Sequence, residues 1–108
     1  MTDTPANLDL VFGALSDPTR RHMVQALLRD GTTSVPALSA ELPISRQAVA
    51  KHLTALDQAG LIERAEITGR EVHFRLRPRA LAPAVAWISD ADAAWTRRLG
   101  RLKEAVEK

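Results

Sequence analysis

Cysteine is absent from the sequence. This absence excludes a disulfide framework, a cysteine-based zinc site and a thiol nucleophile. No stretch approaches the roughly 18 consecutive apolar residues that cross a bilayer, and the amino-terminal segment lacks the positive-then-apolar pattern of a secretory signal. We therefore expect a cytoplasmic protein without a membrane partner. Its 108 residues predict one domain, residues 1–108, with a single modest core.

Signatures of catalysis are also missing. No glycine-rich phosphate loop follows a predicted strand, and no histidine lies in a nucleophile motif. The three histidines, His22, His52 and His73, fall on different predicted elements without paired spacing. Because transition metals favour thiolate and imidazole ligands, this arrangement argues against a metal site. We expect neither an enzyme nor a protein with a cofactor.

Positive charge is distributed unevenly along the chain. The formal net charge is only +2, but between residues 64 and 79 five arginines accompany two glutamates. A stretch of this kind suits a polyanion such as nucleic acid. The alternative is that these arginines only solvate exposed strands.

Apolar periodicity predicts the order helix, helix, short strand, helix, helix, two-stranded hairpin, long helix. The amino-terminal helices fill residues 7–30, the short strand lies within 32–35, a helix-turn-helix fills 36–60, a hairpin fills 61–77 and the last helix runs over 80–107. Within the hairpin, the strands are predicted over 61–67 and 71–77. This ααβααββα order predicts a winged helix-turn-helix, mainly α with a small β-hairpin wing, of the α+β class.

Local signals set the boundaries of these helices. Asp17 can accept backbone amides and Pro18 fits a first helical position, so the second helix is predicted to begin there. Pro36 opens the third helix, and Pro43 prevents it from continuing. Ser45 is the predicted N-cap of the fourth helix.

The fourth helix carries the side chains that we expect to contact DNA. The face opposite its apolar stripe presents Ser45, Arg46, Gln47, Ala50, Lys51 and Thr54. Arginine and glutamine can pair two hydrogen bonds with a base edge, so Arg46 and Gln47 are predicted to read bases. Lys51 and Ser45 are better suited to phosphate. The alternative is that this face is only the solvated side of an amphipathic helix.

The hairpin tip is a second predicted contact. Gly69 allows a tight turn, and Arg70 then projects toward the DNA backbone or a narrow minor groove. A solvated turn is the alternative.

Several segments of the chain resemble the winged-helix repressors of the ArsR family. These segments are residues 11–21, 45–53, 56–62 and 68–76, and the resemblance covers residues 8–77. The resemblance implies a recognition helix that begins near Ser45 and repression of a nearby operon. It also implies a homodimer whose interface is formed by the first and last helices. The interface residues expected from these two helices are Leu8, Val11, Phe12, Leu15, Trp87, Ile88, Trp95, Leu99 and Leu102.

The dimer has a consequence for the DNA partner. Two-fold symmetry predicts an inverted-repeat operator in duplex DNA, with half-sites roughly 34–36 Å apart. Arg20 and Arg21 are further candidates for backbone contact, but they could instead pair with acids at the interface. His52 either contacts DNA or packs at the base of its helix.

The sequence departs from the metal sensors of that family. Their Cys-x-Cys site precedes the recognition helix, where residues 35–39 of this chain hold no cysteine. Their second site combines aspartate and histidine on the last helix, which here contains no histidine. The last helix resembles instead that of a cysteine-free subgroup, with Trp87 and Trp95 eight residues apart. These tryptophans either anchor the interface, which we favour, or line a small-molecule cavity.

The residues therefore predict a sequence-specific DNA-binding regulator, and the family resemblance implies that it is a repressor. The alternative is a winged-helix protein-interaction module that does not bind DNA, for which the recognition helix should present an apolar or acidic face. The arginine, glutamine and lysine found there count against that alternative. The operator sequence, the regulated genes and an effector, whether a small molecule or a protein, are not specified by the sequence.

Overall fold

The computed structural model describes residues 7–107. The elements are α1 (Leu8–Leu15), α2 (Pro18–Asp30), α3 (Val35–Glu41), α4 (Arg46–Gln58), β1 (Ile62–Thr68), β2 (Glu71–Leu76) and α5 (Ala82–Glu107). The predicted mainly helical fold with a two-stranded hairpin is confirmed.

Helices α1, α2 and α4 begin at side chains that accept hydrogen bonds from free backbone amides, as expected of N-caps. Asn7 accepts from the amides of the first turn of α1. At α2, an oxygen of Asp17 accepts from Thr19 N at 2.8 Å and from Arg20 N at 3.1 Å. Ser45 Oγ accepts from Ala48 N at 3.1 Å, so the predicted cap of α4 is confirmed.

The segment before α3 differs in detail from the prediction. Helix α3 begins at Val35 and not at Pro36. Ser34 is its N-cap, because the Ser34 side chain accepts a hydrogen bond from Ala37 N at 3.2 Å. The predicted short strand is reduced to a bridge between Thr33 and Phe74, with N–O distances of 3.0 and 2.8 Å. This bridge holds the amino end of α3 against the wing.

Strands β1 and β2 form an antiparallel hairpin whose bounds lie within one residue of those predicted. Glu63 faces Arg75 and Arg64 faces Phe74 across the ladder. The register then shifts between Arg64 and Ile67, where β1 carries one more residue than β2. Such a bulge increases the local twist of the hairpin.

The core lies between α1, α2, α3, α4 and the base of the wing. Its largest fully buried side chains are Met23, Leu38, Leu56, Leu61, Ile62, Val11 and Val49. Leu38 of α3 and the stripe of α4 belong to this one cluster, with Ile44 partly buried in the turn between the two helices. The helix-turn-helix is therefore held at a fixed angle by apolar packing.

Helix α5 differs from the other helices in its burial. It has 26 residues, and only Ala84 is buried. It runs without interruption through Gly100. The radius of gyration is 18.3 Å, compared with about 13 Å for a compact chain of this length. Within residues 7–107 no helix is both long and apolar enough to cross a membrane.

Candidate nucleic-acid interface

Helix α4 presents two faces of opposite character. Its Val49, Leu53 and Leu56 are buried in the core. The residues predicted to face outward do so: Ser45, Arg46, Gln47, Ala50, Lys51 and Thr54 are all exposed. The core therefore fixes the helix while its opposite side remains open to a partner.

Two of these exposed side chains are already engaged within the helix. Ser45 Oγ caps α4, and Thr54 Oγ1 donates to Ala50 O at 3.0 Å. By contrast, the side chains of Arg46, Gln47 and Lys51 make no hydrogen bond or ion pair within residues 7–107. These three polar groups are thus the ones available to an external ligand.

The wing tip has the geometry expected of it. Gly69 has φ +62°, which favours glycine, and Arg70 follows it as an exposed residue at the turn. Elsewhere in the wing, Arg75 Nε donates to Glu63 at 2.8 Å and Arg77 Nε donates to Ile62 O at 3.2 Å. The side chains of these two arginines are therefore already hydrogen-bonded within the wing.

Arg64 is a candidate that the sequence reasoning did not single out. It is exposed, and no ion pair engages it within the described part of the chain. It lines a cleft of about 230 Å³ between α4 and the wing, together with Ala50, Thr54 and Phe74. It also lines an adjoining cavity of about 320 Å³ that extends to Arg70. Only the β1–β2 register, with Arg64 opposite Phe74, places it on the cleft side of the hairpin.

His52 is half-buried between α4 and α2. Arg20 Nε donates to its Nδ1 at 3.2 Å. The carboxylate of Asp17 lies in the same cluster, and its pKa is lowered mainly by the hydrogen bond from the amide of Arg20, with a smaller contribution from the amide of Thr19. His52 therefore packs at the base of α4, which was one of the two predicted alternatives.

The other arginine of this region, Arg21, is engaged elsewhere. Its Nη1 donates to the carbonyl oxygen of Leu15 at 2.7 Å, which closes the turn between α1 and α2. Neither Arg20 nor Arg21 forms an ion pair with an acid in the described part of the chain.

The residues predicted for a subunit interface fall into two groups. Val11 is 1% exposed and belongs to the core of its own protomer, so it has no surface left for a partner. Leu8, Phe12 and Leu15 are half-buried. On α5 the predicted residues Trp87, Ile88, Trp95, Leu99 and Leu102 are each between 46% and 56% exposed. One edge-to-face contact, between the rings of Phe12 and Trp87 with centroids 5.9 Å apart, links α1 to α5.

Potential metal ligands are dispersed. Within residues 7–107 no group of three or more histidine, cysteine, aspartate or glutamate side chains could hold a metal ion.

Known proteins are similar to this chain in both sequence and fold. A family model described as a helix-turn-helix domain matches residues 15–65. The HTH-type transcriptional regulator Rv2034 of Mycobacterium tuberculosis is 40% identical over 99 residues, which are 92% of this chain and 88% of that protein. The arsenic resistance transcriptional regulator ArsR1 of Pseudomonas putida is 31% identical over 90 residues, which are 80% of this chain and 69% of that protein. A solved structure of an ArsR-like transcriptional regulator from Rhodococcus sp. RHA1 superposes with a TM-score of 0.80 at 40% identity, covering 93% of this chain and 90% of that one.

The fold, the exposed face of α4 and these relatives define a transcriptional regulator with a DNA-binding helix-turn-helix. More specifically, the chain belongs to the ArsR family. The resemblance found in the sequence is confirmed, as is the prediction of a regulator rather than an enzyme.

Proposed function

We propose that the protein is a homodimeric repressor that binds an inverted-repeat operator in duplex DNA. The observation that carries this proposal is the set of free polar groups on α4, because Arg46, Gln47 and Lys51 are exposed on a helix fixed by the core. Arg46 and Gln47 read base edges in the major groove, and Lys51 contacts phosphate.

The wing contributes contacts outside the major groove. With α4 in the major groove, Arg70 at the hairpin tip reaches the neighbouring minor groove or its edge. The sugar-phosphate strand that separates the two grooves then crosses the cleft between α4 and the wing. Arg64 lines that cleft without an ion-pair partner in the described residues, so we assign it a phosphate contact.

The homodimer is supported by the surface of α5. Five large apolar side chains on one helix stay about half exposed in the protomer, and apolar patches of this kind mark interaction surfaces. A second copy covers them and adds the second set of DNA contacts. Two-fold symmetry then repeats the half-site in inverted orientation, roughly 34–36 Å away.

The test is selection of bound sequences from a random pool of duplex DNA at rising salt. Phosphate contacts weaken steeply with salt, whereas base contacts keep their preference. We expect enrichment of an inverted repeat that survives the higher salt. Binding that disappears early without any enriched sequence would overturn specific DNA recognition and favour the protein-interaction alternative.

A further inference from the structure

Helix α5 carries a heptad pattern that its own protomer does not cover. One set of positions, seven residues apart, is Val85, Asp92, Leu99 and Val106, and the interleaved set is Ile88, Trp95 and Leu102. All six apolar members are at least 46% exposed. Alternating spacings of three and four residues form the seam of a packed helix pair. Asp92 is the one charged residue within that seam.

The position of Asp92 discriminates between parallel and antiparallel pairing of two α5 helices. In a parallel pair each residue faces its own copy, so the carboxylates of two Asp92 side chains would meet in an apolar seam. Two like charges that are taken out of water together are strongly unfavourable. In an antiparallel pair the two sets of positions face each other, and Asp92 meets a residue of the other set.

The choice of antiparallel register then follows from hydrogen bonding. When Val85 faces Leu102 of the partner subunit, Ile88 faces Leu99 of the partner subunit and Asp92 faces Trp95 of the partner subunit. A shift of one heptad in either direction would place Asp92 against the partner's Ile88 or the partner's Leu102, neither of which has a side-chain donor. Indole N–H is a donor without acceptor capacity, so it suits a carboxylate.

We propose that Asp92 accepts a hydrogen bond from the indole N–H of Trp95 of the partner subunit, twice by symmetry. This pair of bonds sets the antiparallel direction and the register of α5 in the dimer. The inference rests on the homodimer of the proposed function and adds the contact that specifies it. A single polar residue in an apolar seam is a known means of fixing register.

Disulfide trapping tests the register, since the chain has no cysteine of its own. The double variant Ile88→Cys/Leu99→Cys should cross-link into covalent dimers under mild oxidation, whereas each single variant should not. The matched control Ile88→Cys/Leu102→Cys uses two seam positions that do not face each other, so it should stay uncrosslinked. A disulfide requires Cα atoms within about 7 Å. In both double variants the two cysteines lie several turns apart on their own helix, so they cannot bond within one chain.

A double-mutant cycle tests the hydrogen bond. Trp95→Phe keeps an aromatic ring but leaves the Asp92 carboxylate unpaired, and it should raise the dimer dissociation constant by about tenfold or more. Asp92→Leu should abolish most of that effect in the double variant. If Trp95→Phe raises the dimer dissociation constant by the same factor in the Asp92→Leu background as in the wild-type background, the hydrogen bond is refuted.

The outcomes separate this inference from the homodimer itself. A wild-type chain that sediments as a monomer at micromolar concentration would overturn the homodimer. If the wild-type chain sediments as a dimer but the single variant Leu99→Cys cross-links, the homodimer is retained and the antiparallel register is overturned, because a parallel pair brings residue 99 against its own copy.

Discussion

Arg20 Nε donates a hydrogen bond to Nδ1 of His52 over 3.2 Å, and this contact joins α2 to α4. For Nδ1 to accept, the neutral imidazole carries its proton on Nε2. Every buried polar side-chain atom within residues 7–107 has a hydrogen-bond partner. Because Nε2 of His52 has no partner among these residues, it is not buried and reaches solvent. One edge of the ring therefore anchors α4 while the other edge keeps a free donor.

We expect the anchoring role to appear in stability. His52→Leu removes the acceptor and should lower the free energy of unfolding by about 0.5–1.5 kcal/mol. His52→Asn offers an amide oxygen near the position of Nδ1 and should retain most of that free energy. Urea unfolding measures both variants, and equal losses would show that the hydrogen bond contributes nothing.

Arg46→Ala should weaken binding to the operator by about 1–3 kcal/mol more than binding to random DNA, because a bidentate base contact carries specificity. Arg97→Ala is the matched control, since Arg97 is exposed on α5 away from the helix-turn-helix. Titration of labelled duplexes gives both affinities. Equal losses on the two DNAs would reduce Arg46 to a phosphate contact.

Arg64→Gln should weaken binding to all sequences alike and reduce the slope of log affinity against log salt by about one. Arg75→Gln is its control, because Arg75 lies on the opposite face of the hairpin and pairs with Glu63. The two slopes are read from titrations at several salt concentrations. An unchanged slope for Arg64→Gln would remove it from the DNA contacts.

Asp17 should make stability depend on acid pH. Its pKa is lowered in the folded chain, chiefly by the amide of Arg20, so its charged form stabilises the fold above the unfolded value of 3.8. This contribution is lost as the pH falls through the lower folded value. Asp17→Asn keeps a capping oxygen without titrating there. The stability difference between the two proteins should be constant above about pH 5 and shrink below it, as thermal unfolding across that range would measure.

Leu99→Glu places a charge in the exposed seam of α5 and should convert the proposed dimer to a monomer at micromolar concentration, with a parallel loss of DNA affinity. Because the side chain of Leu99 is 46% exposed in the protomer, the helical content should be retained. Arg97→Glu puts the same carboxylate off the seam and should leave the dimer intact. Sedimentation and circular dichroism give the two readouts.

The helices could be predicted from the sequence because their boundaries depend on local chemistry. Asp17 and Ser45 cap α2 and α4 as expected, since a capping side chain acts on amides two or three residues away. The strand before α3 was overpredicted. Its extent depends on β2, a partner about forty residues away in sequence, and that pairing is limited to Thr33.

The candidate site shows the same division between local and distant determinants. The exposed face of α4 follows from helical periodicity, so its six outward residues were correctly placed. Arg64 was not singled out, because its position on the cleft side depends on strand register and on the occupation of Arg75 and Arg77 by other groups. Burial of Val11 likewise depends on how α1 meets the core.

The exposed surface of α5 has an optical consequence. The chain contains two tryptophans and no tyrosine, and both tryptophans, Trp87 and Trp95, lie on α5 with more than half of their surface exposed. Intrinsic fluorescence of this protein therefore originates from one helix alone. A blue shift of the emission on concentration would report that α5 has left water, and the spectrum would be insensitive to events confined to the wing.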